Sequence, residues 1–199
     1  MPIASTPSLA VVRVVVTLAL LLCAGAPSSA ELRRYALDPA GSEIGFTYQI
    51  LGDSFNGEIP VSEADILIDF RDVTRTEARV ALDARRARAG VVLATQALRG
   101  ASVLDINRYP TISFASTRTR SDGAGAVMDG NLTVRGVTRP VQLRARFLRP
   151  PDSDPDVLDE LAILLTGSIS RAEFGATGYA NLVADQIDLR IRAAIRALN

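Results

Sequence analysis

From Glu43 onward the chain alternates between apolar and polar positions. Ile44, Phe46, Tyr48 and Ile50 interleave with Glu43, Gly45, Thr47 and Gln49. The same period of two runs through residues 66–70, 80–82, 132–134, 141–147 and 187–195. A strand sends successive side chains to opposite faces, so each run predicts a half-buried antiparallel strand. Turn signals separate the runs. Asp122-Gly123 precedes one of them, and Arg135-Gly136-Val137-Thr138-Arg139-Pro140 links two others. Gly136 suits a positive φ there, and Pro140 suits a strand start. Residues 149–155 are rich in Pro, Asp and Ser and predict a long surface loop; the strand pattern resumes beyond them without a change in composition.

Two segments depart from plain alternation. Leu93, Ala94, Ala97, Leu98 and Ala101 have the spacing of a short helix within residues 91–104, set on the mouth or flank of the fold. Residues 161–170 begin with helix-forming types, but Ile163, Leu165, Gly167 and Ile169 keep the period of two and are assigned to a strand. About eight strands with one apolar face each need a sandwich or a closed barrel. Closure removes exposed edges, and eight strands leave room inside for one small ligand. Alternation alone does not choose between the two.

Composition narrows the function. The chain has 199 residues, 48% of them hydrophobic, which suits one domain or a small pair, with a sizeable core. Its 22 basic residues are all Arg and are balanced by 22 acidic ones. Without clustered positive charge, a nucleic-acid partner is not expected. Residues 1–30 read as an export signal: Arg13, an apolar run over residues 14–22, then Ser28-Ser29-Ala30 as a small-x-small cleavage site. That run is short of the roughly 20 residues of a membrane span. An uncleaved anchor and a lipid-attached Cys23 are the competing readings, and Leu22 stands where a lipoprotein signal needs a small residue. The expectation is a mature domain of residues 31–199 in the periplasm.

Cleavage after Ala30 removes Cys23, and the chain has no His. A mature domain without thiol or imidazole lacks Cys–His and Ser–His nucleophile pairs, transition-metal ligands and a disulfide. No metal, no cofactor and no catalytic residue are therefore expected. The carboxylates are scattered, and no pair of them is singled out for glycosidase-like chemistry. Gly123-x-Gly125 lacks the third glycine of a dinucleotide motif and reads as a hairpin. Arg190, Arg192 and Arg196 share one strand face, read as a solvated outer face, with a membrane-surface role as the lesser alternative.

Several short segments stand in a fixed order along the chain. They are Tyr35-Ala36-Leu37-Asp38-Pro39 with Ser42-Glu43-Ile44-Gly45-Phe46, then Phe55-Asn56-Gly57, then Leu98-Arg99 with Val103-Leu104-Asp105 and Tyr109-Pro110-Thr111-Ile112-Ser113-Phe114. The stretch from Gly130 to Val141 and Ile169-Ser170-Arg171-Ala172-Glu173-Phe174-Gly175 complete the set. In this order they resemble the YceI-like family of periplasmic, lipocalin-like proteins. The resemblance implies an all-β, antiparallel eight-stranded barrel with one short helix near residues 91–104. It also implies an elongated apolar cavity that takes an isoprenoid, quinone-like or other long-chain amphiphile. One departure stands out. Where family members often carry an Arg-Asp-x-His run, this chain has Ala94, Thr95, Gln96 and Ala97, and Gly41 replaces a His of the opening motif.

On this reading the ligand-binding candidates are Phe46, Tyr48, Phe55, Ile112, Phe114, Leu132 and Phe174 on a tunnel wall, with Arg171 at a head group. Alternatively the apolar set is a filled core and Arg171 pairs with Asp38 or Glu173. The expected function is a periplasmic carrier for a lipid-like small molecule. Its competitors are a stress-related or redox-partner module with a filled core, and a carboxylate-based lipid-modifying enzyme. Transient contact with a membrane or a membrane redox protein fits the first two. The oligomeric state is left open, a homodimer included.

Overall fold

The alternating runs become strands of one antiparallel sheet in a computed structural model that describes residues 32–148 and 158–198. The strands are β1 (Arg33–Leu37), β2 (Glu43–Ile50), β3 (Asp53–Glu58), β4 (Val61–Ile68), β5 (Glu77–Asp83), β6 (Thr111–Ser121), β7 (Ala126–Val134), β8 (Val137–Leu148), β9 (Glu160–Ser170) and β10 (Gln186–Ala197); helix α1 (Val92–Arg99) lies between β5 and β6. The export signal expected over residues 1–30 and the loop expected over residues 149–155 both fall outside the described residues.

Ten segments make eight staves. β10 pairs with β1 through Ala197–Ile195 and with β2 through Arg192–Asp188, so β1 and β2 are one stave interrupted at residues 38–42. β4 pairs with β1 and β3 with β2, making a second interrupted stave. The remaining ladders run β4-β5-β6-β7-β8-β9-β10, and the β1–β10 pairing closes the ring. Closure decides the question that alternation leaves open: the fold is an eight-stranded barrel, with no sheet edge left along the β1–β10 seam.

The β7–β8 connection is tighter than its sequence suggests. Arg135 and Gly136 both have positive φ, 52° and 73°, which is the two-residue turn whose twist matches a hairpin. The strand resumes at Val137, so Pro140 sits inside β8 rather than at its start. Its missing N–H does no harm there, because the β8–β9 ladder begins only at Arg144. The helix is also shorter than expected. It stops at Arg99, where extended Gly100 returns its N–H to Ala97, and turns follow. Leu93, expected on its packed face, is 80% exposed, while Ala94 and Leu98 pack inward.

Helix α1, the β7–β8 turn and residues 171–185 gather at one end of the barrel, the helix end; the β4–β5 and β6–β7 loops lie at the far end. Each end has its own packed cluster. Tyr35, Ile66, Ile68, Leu161 and Ile195 form one where β1, β4, β9 and β10 meet, and Ala84, Leu104, Ile112, Val134 and Phe174 form the other at the helix end.

Candidate ligand tunnel

Between these clusters the inward side chains do not meet across the barrel. Phe114, Leu132, Leu165, Leu189 and Ile191 belong to strands with partners on both sides, yet each keeps accessible surface. The space they face is a cavity of about 340 Å³, within the range of roughly 300–1,000 Å³ usual for small-molecule sites. Its wall runs from Leu98, Leu104 and Phe174 at the helix end to Val73, Gly125 and Phe147 at the far end. Phe147 is 42% exposed and forms part of that far rim.

The wall is almost wholly apolar. Among the described residues, its only polar side chains are Thr76, Thr119, Arg146 and Arg171. Thr119 donates to the Thr76 carbonyl at 3.1 Å, and the Thr76 hydroxyl accepts from the Asp69 amide at 3.4 Å. Arg146 is exposed, since Ala145 and Phe147 take the inward positions beside it. The wall therefore offers shape and apolar surface, with few polar contacts.

Arg171 is the polar exception and is spent on the backbone. Its Nη1 donates to the carbonyls of Ala176 and Gly178 at 2.6 and 2.7 Å, its Nε to Ala184 at 3.0 Å, and its Nη2 to Val183 at 3.0 Å. The expected pairing with Asp38 or Glu173 is not what the structure shows; one guanidinium clasps the strap over residues 176–184 instead. Asp185 takes the neighbouring amide of Ala172 at 2.9 Å. Its carboxyl is held below the ordinary aspartate range, first by the Ser170 hydroxyl, then by the Ala172 amide, with the Arg171 charge a smaller cause.

The structure brings Phe46, Ile112, Phe114, Leu132, Phe174 and Arg171 together on the tunnel wall. Tyr48 and Phe55 are a correction. They lie beyond the closed ring, where the β2–β3 hairpin is covered by Ala89, Ala94 and Leu98. Tyr48 donates its hydroxyl to the Ala89 carbonyl at 2.8 Å and stacks on Phe55 at 5.7 Å. Burial raises the Tyr48 phenol pKa, which keeps it a neutral donor. Much of the wall came from residues not singled out in the sequence, chiefly β9 and β10 positions such as Ile163, Leu165, Leu189 and Ile191. Their alternation was the available signal. Both places of the departure from the family pattern also have local accounts. Thr95 accepts the Ala89 amide at 3.0 Å, and a Cβ at Gly41 would lie 2.8 Å from that of Ala194, so a larger residue there must displace β10.

Outside the tunnel the most buried charge is Asp69, at the start of the β4–β5 loop. Its Oδ1 accepts the amides of Arg71 and Asp72, both at 2.9 Å. Arg75 Nη1 lies 3.1 Å from Oδ2 as an ion pair without hydrogen-bond alignment. The Asp72 amide is the largest of several causes that lower the Asp69 pKa.

Comparison with known proteins bears on what such a barrel is. The YceI-like domain family model matches residues 35–195, which is every stave of the barrel. The chain belongs to the YceI-like family. Among its relatives is a UPF0312 protein of Enterobacter sp. (strain 638), 27% identical over 166 residues that cover 82% of this chain and 86% of that one. BcnA of Burkholderia cenocepacia shares the fold with a TM-score of 0.70 at 16% identity, over 80% of this chain and 99% of that one. A polyisoprenoid binding domain from Saccharophagus degradans does so with a TM-score of 0.59 at 14% identity, over 84% and 100%. At those identities the two structures speak to the fold of this YceI-like chain.

Proposed function

We propose that this YceI-like protein is a periplasmic carrier that holds one isoprenoid, quinone-like or other long-chain amphiphile in its barrel and binds it without transforming it. The observation that carries the reading is the tunnel: about 340 Å³, reaching from one end of the barrel to the other, with an apolar wall. A chain drawn into it gains about 0.8 kcal/mol per buried methylene, so affinity needs few polar contacts. The polyisoprenoid binding domain from Saccharophagus degradans, which has the same fold, supports the choice of ligand class. Binding without chemistry is supported by the wall itself, where no Asp or Glu side chain appears among the described residues. The hollow bore argues against a filled-core module.

Phe46, Ile112, Phe114, Leu132 and Phe174 would contact the chain, with Arg171 shaping the helix end. The apolar run over residues 14–22 and the small-x-small pattern Ser28-Ser29-Ala30 support the compartment. Exposed Leu51, Val91, Val92 and Leu93 at the helix end support transient membrane contact there. The test is organic extraction of protein purified from the periplasm, followed by mass spectrometry. A near-stoichiometric isoprenoid or long-chain amphiphile is expected. Protein that carries no lipid, and takes up no added isoprenoid alcohol, would overturn the reading.

A further inference from the structure

Two aromatic rings of the tunnel wall rest on glycines. Gly57 is the direct cross-strand partner of Phe46. Gly130 lies two positions along β7 from Leu132, the cross-strand partner of Phe114. It shares its strand face with Met128 and Leu132, which both line the tunnel. A Cβ built on Gly130 would fall on Cε2 and Cζ of Phe114, deep inside contact distance, and 2.7 Å from the Ala115 carbonyl oxygen. A Cβ built on Gly57 would fall on Cζ of Phe46, with Cε1 and the Arg88 carbonyl oxygen each at 2.6 Å. Non-bonded carbons settle at about 3.5–4.0 Å. Each ring tip therefore fills the volume in which the neighbouring side chain would stand.

Backbone conformation does not require these glycines. The positive-φ glycines of the described chain are Gly52, Gly90, Gly123, Gly136 and Gly175, and neither Gly57 nor Gly130 is among them. A strand glycine without special φ marks a close approach, and here the approaching group is a phenylalanine ring.

We propose that Gly57 and Gly130 are specificity-determining positions of the tunnel. By seating the rings of Phe46 and Phe114 in the wall they set the bore, and through it the length and bulk of the chain that is held. The inference rests on the carrier reading above. A methyl group at either glycine must push its ring off the wall. Backbone oxygen stands beside both seats, so the free direction is the lumen, and the displaced ring would narrow the path of the chain.

The experiment compares the wild-type protein with Gly130→Ala, Phe114→Leu and the double variant Gly130→Ala/Phe114→Leu. Thermal melts establish folding, and displacement of a fluorescent isoprenoid alcohol measures affinity for farnesol, geranylgeraniol and solanesol. Gly130→Ala should lose about tenfold or more for the longer alcohols relative to farnesol, because fewer isoprene units fit. The double variant should regain the wild-type length preference, since the ring that the methyl displaces is gone. Folded Gly130→Ala with the wild-type preference overturns the inference, as does a double variant without recovery. Should Gly130→Ala not fold, Phe114→Leu decides: a shift of preference toward solanesol supports a ring-set bore, and an unchanged preference overturns it. Wild-type protein that binds none of the alcohols overturns the carrier reading instead, a separate and recognisable outcome.

Discussion

Replacing Arg171 with Met tests whether one buried guanidinium holds the helix end of the tunnel together. The side chain is 8% exposed and makes four hydrogen bonds of 2.6–3.0 Å to the carbonyls of Ala176, Gly178, Val183 and Ala184. A hydrogen bond to a charged donor contributes about 1.5–3 kcal/mol net. Simple addition overstates the loss, because the strap is exposed at Tyr179 and Leu182, and carbonyls near them can turn to water. Ala176 is buried, and its carbonyl would keep most of its desolvation cost. Met fills similar apolar volume, so packing changes little. The expected loss is about 3–5 kcal/mol, read as a fall in the urea midpoint. Hydrogen exchange should place the change, with lost protection concentrated in residues 171–185 and the β5–β6 ladder spared. Arg171→Lys keeps the charge but offers a compact ammonium in place of a planar fork, so it should recover less than half. A loss under about 1 kcal/mol, or exchange raised evenly around the barrel, would refute the clasp.

The remaining predictions concern the bore, the acid limit and the processed end. Phe114→Asp puts a carboxylate where water can follow it, so it should cost about 2–3 kcal/mol, against more than about 4 for Phe174→Asp, whose side chain is 2% exposed; equal costs in urea titrations would contradict a hollow bore at Phe114. Asp69 has a folded pKa held below its ordinary value of 3.8, so its stabilisation is complete above that value and is lost as pH falls through the folded pKa. Asp69→Asn should therefore be less stable at neutral pH and lose less on acidification below about pH 4; parallel stability–pH curves for the two proteins would disprove the assignment. N-terminal sequencing of exported protein should begin at Glu31, and retained Met1 or an acylated Cys23 would contradict a soluble carrier.

The barrel was legible because period-two alternation depends only on neighbours in the chain. β2, β5, β7, β8 and β10 announce themselves by it, and β9 keeps it despite helix-forming residues at its start. What stayed hidden depends on register. Tyr48 shares a strand face with Phe46, so the sequence puts both on the tunnel; only the pairing shows that β2 outruns the ring and that Ala89 covers Tyr48. The partners of Arg171 are carbonyls, which every residue carries, so no sequence pattern marks them. A carboxylate such as Asp38, or Glu173 only two positions on, looks like the better partner until the strap over residues 176–184 is seen to fold back.

Register also explains why the hollow itself was invisible. A filled core and an open bore need the same inward apolar residues, and the alternation of Leu189, Ile191 and Leu165 is identical in both. The difference lies in how large side chains meet small ones across strands. Phe114 and Gly130 are sixteen positions apart in sequence, yet the β6–β7 ladder sets them diagonally, so the largest side chain on that face lies over the smallest. With a filled seat at 130 the ring would point toward the axis, and the bore would close on ordinary hydrophobic packing. A tunnel is thus specified less by which residues face inward than by where the wall omits a side chain, and that is a property of pairs that only strand pairing brings together.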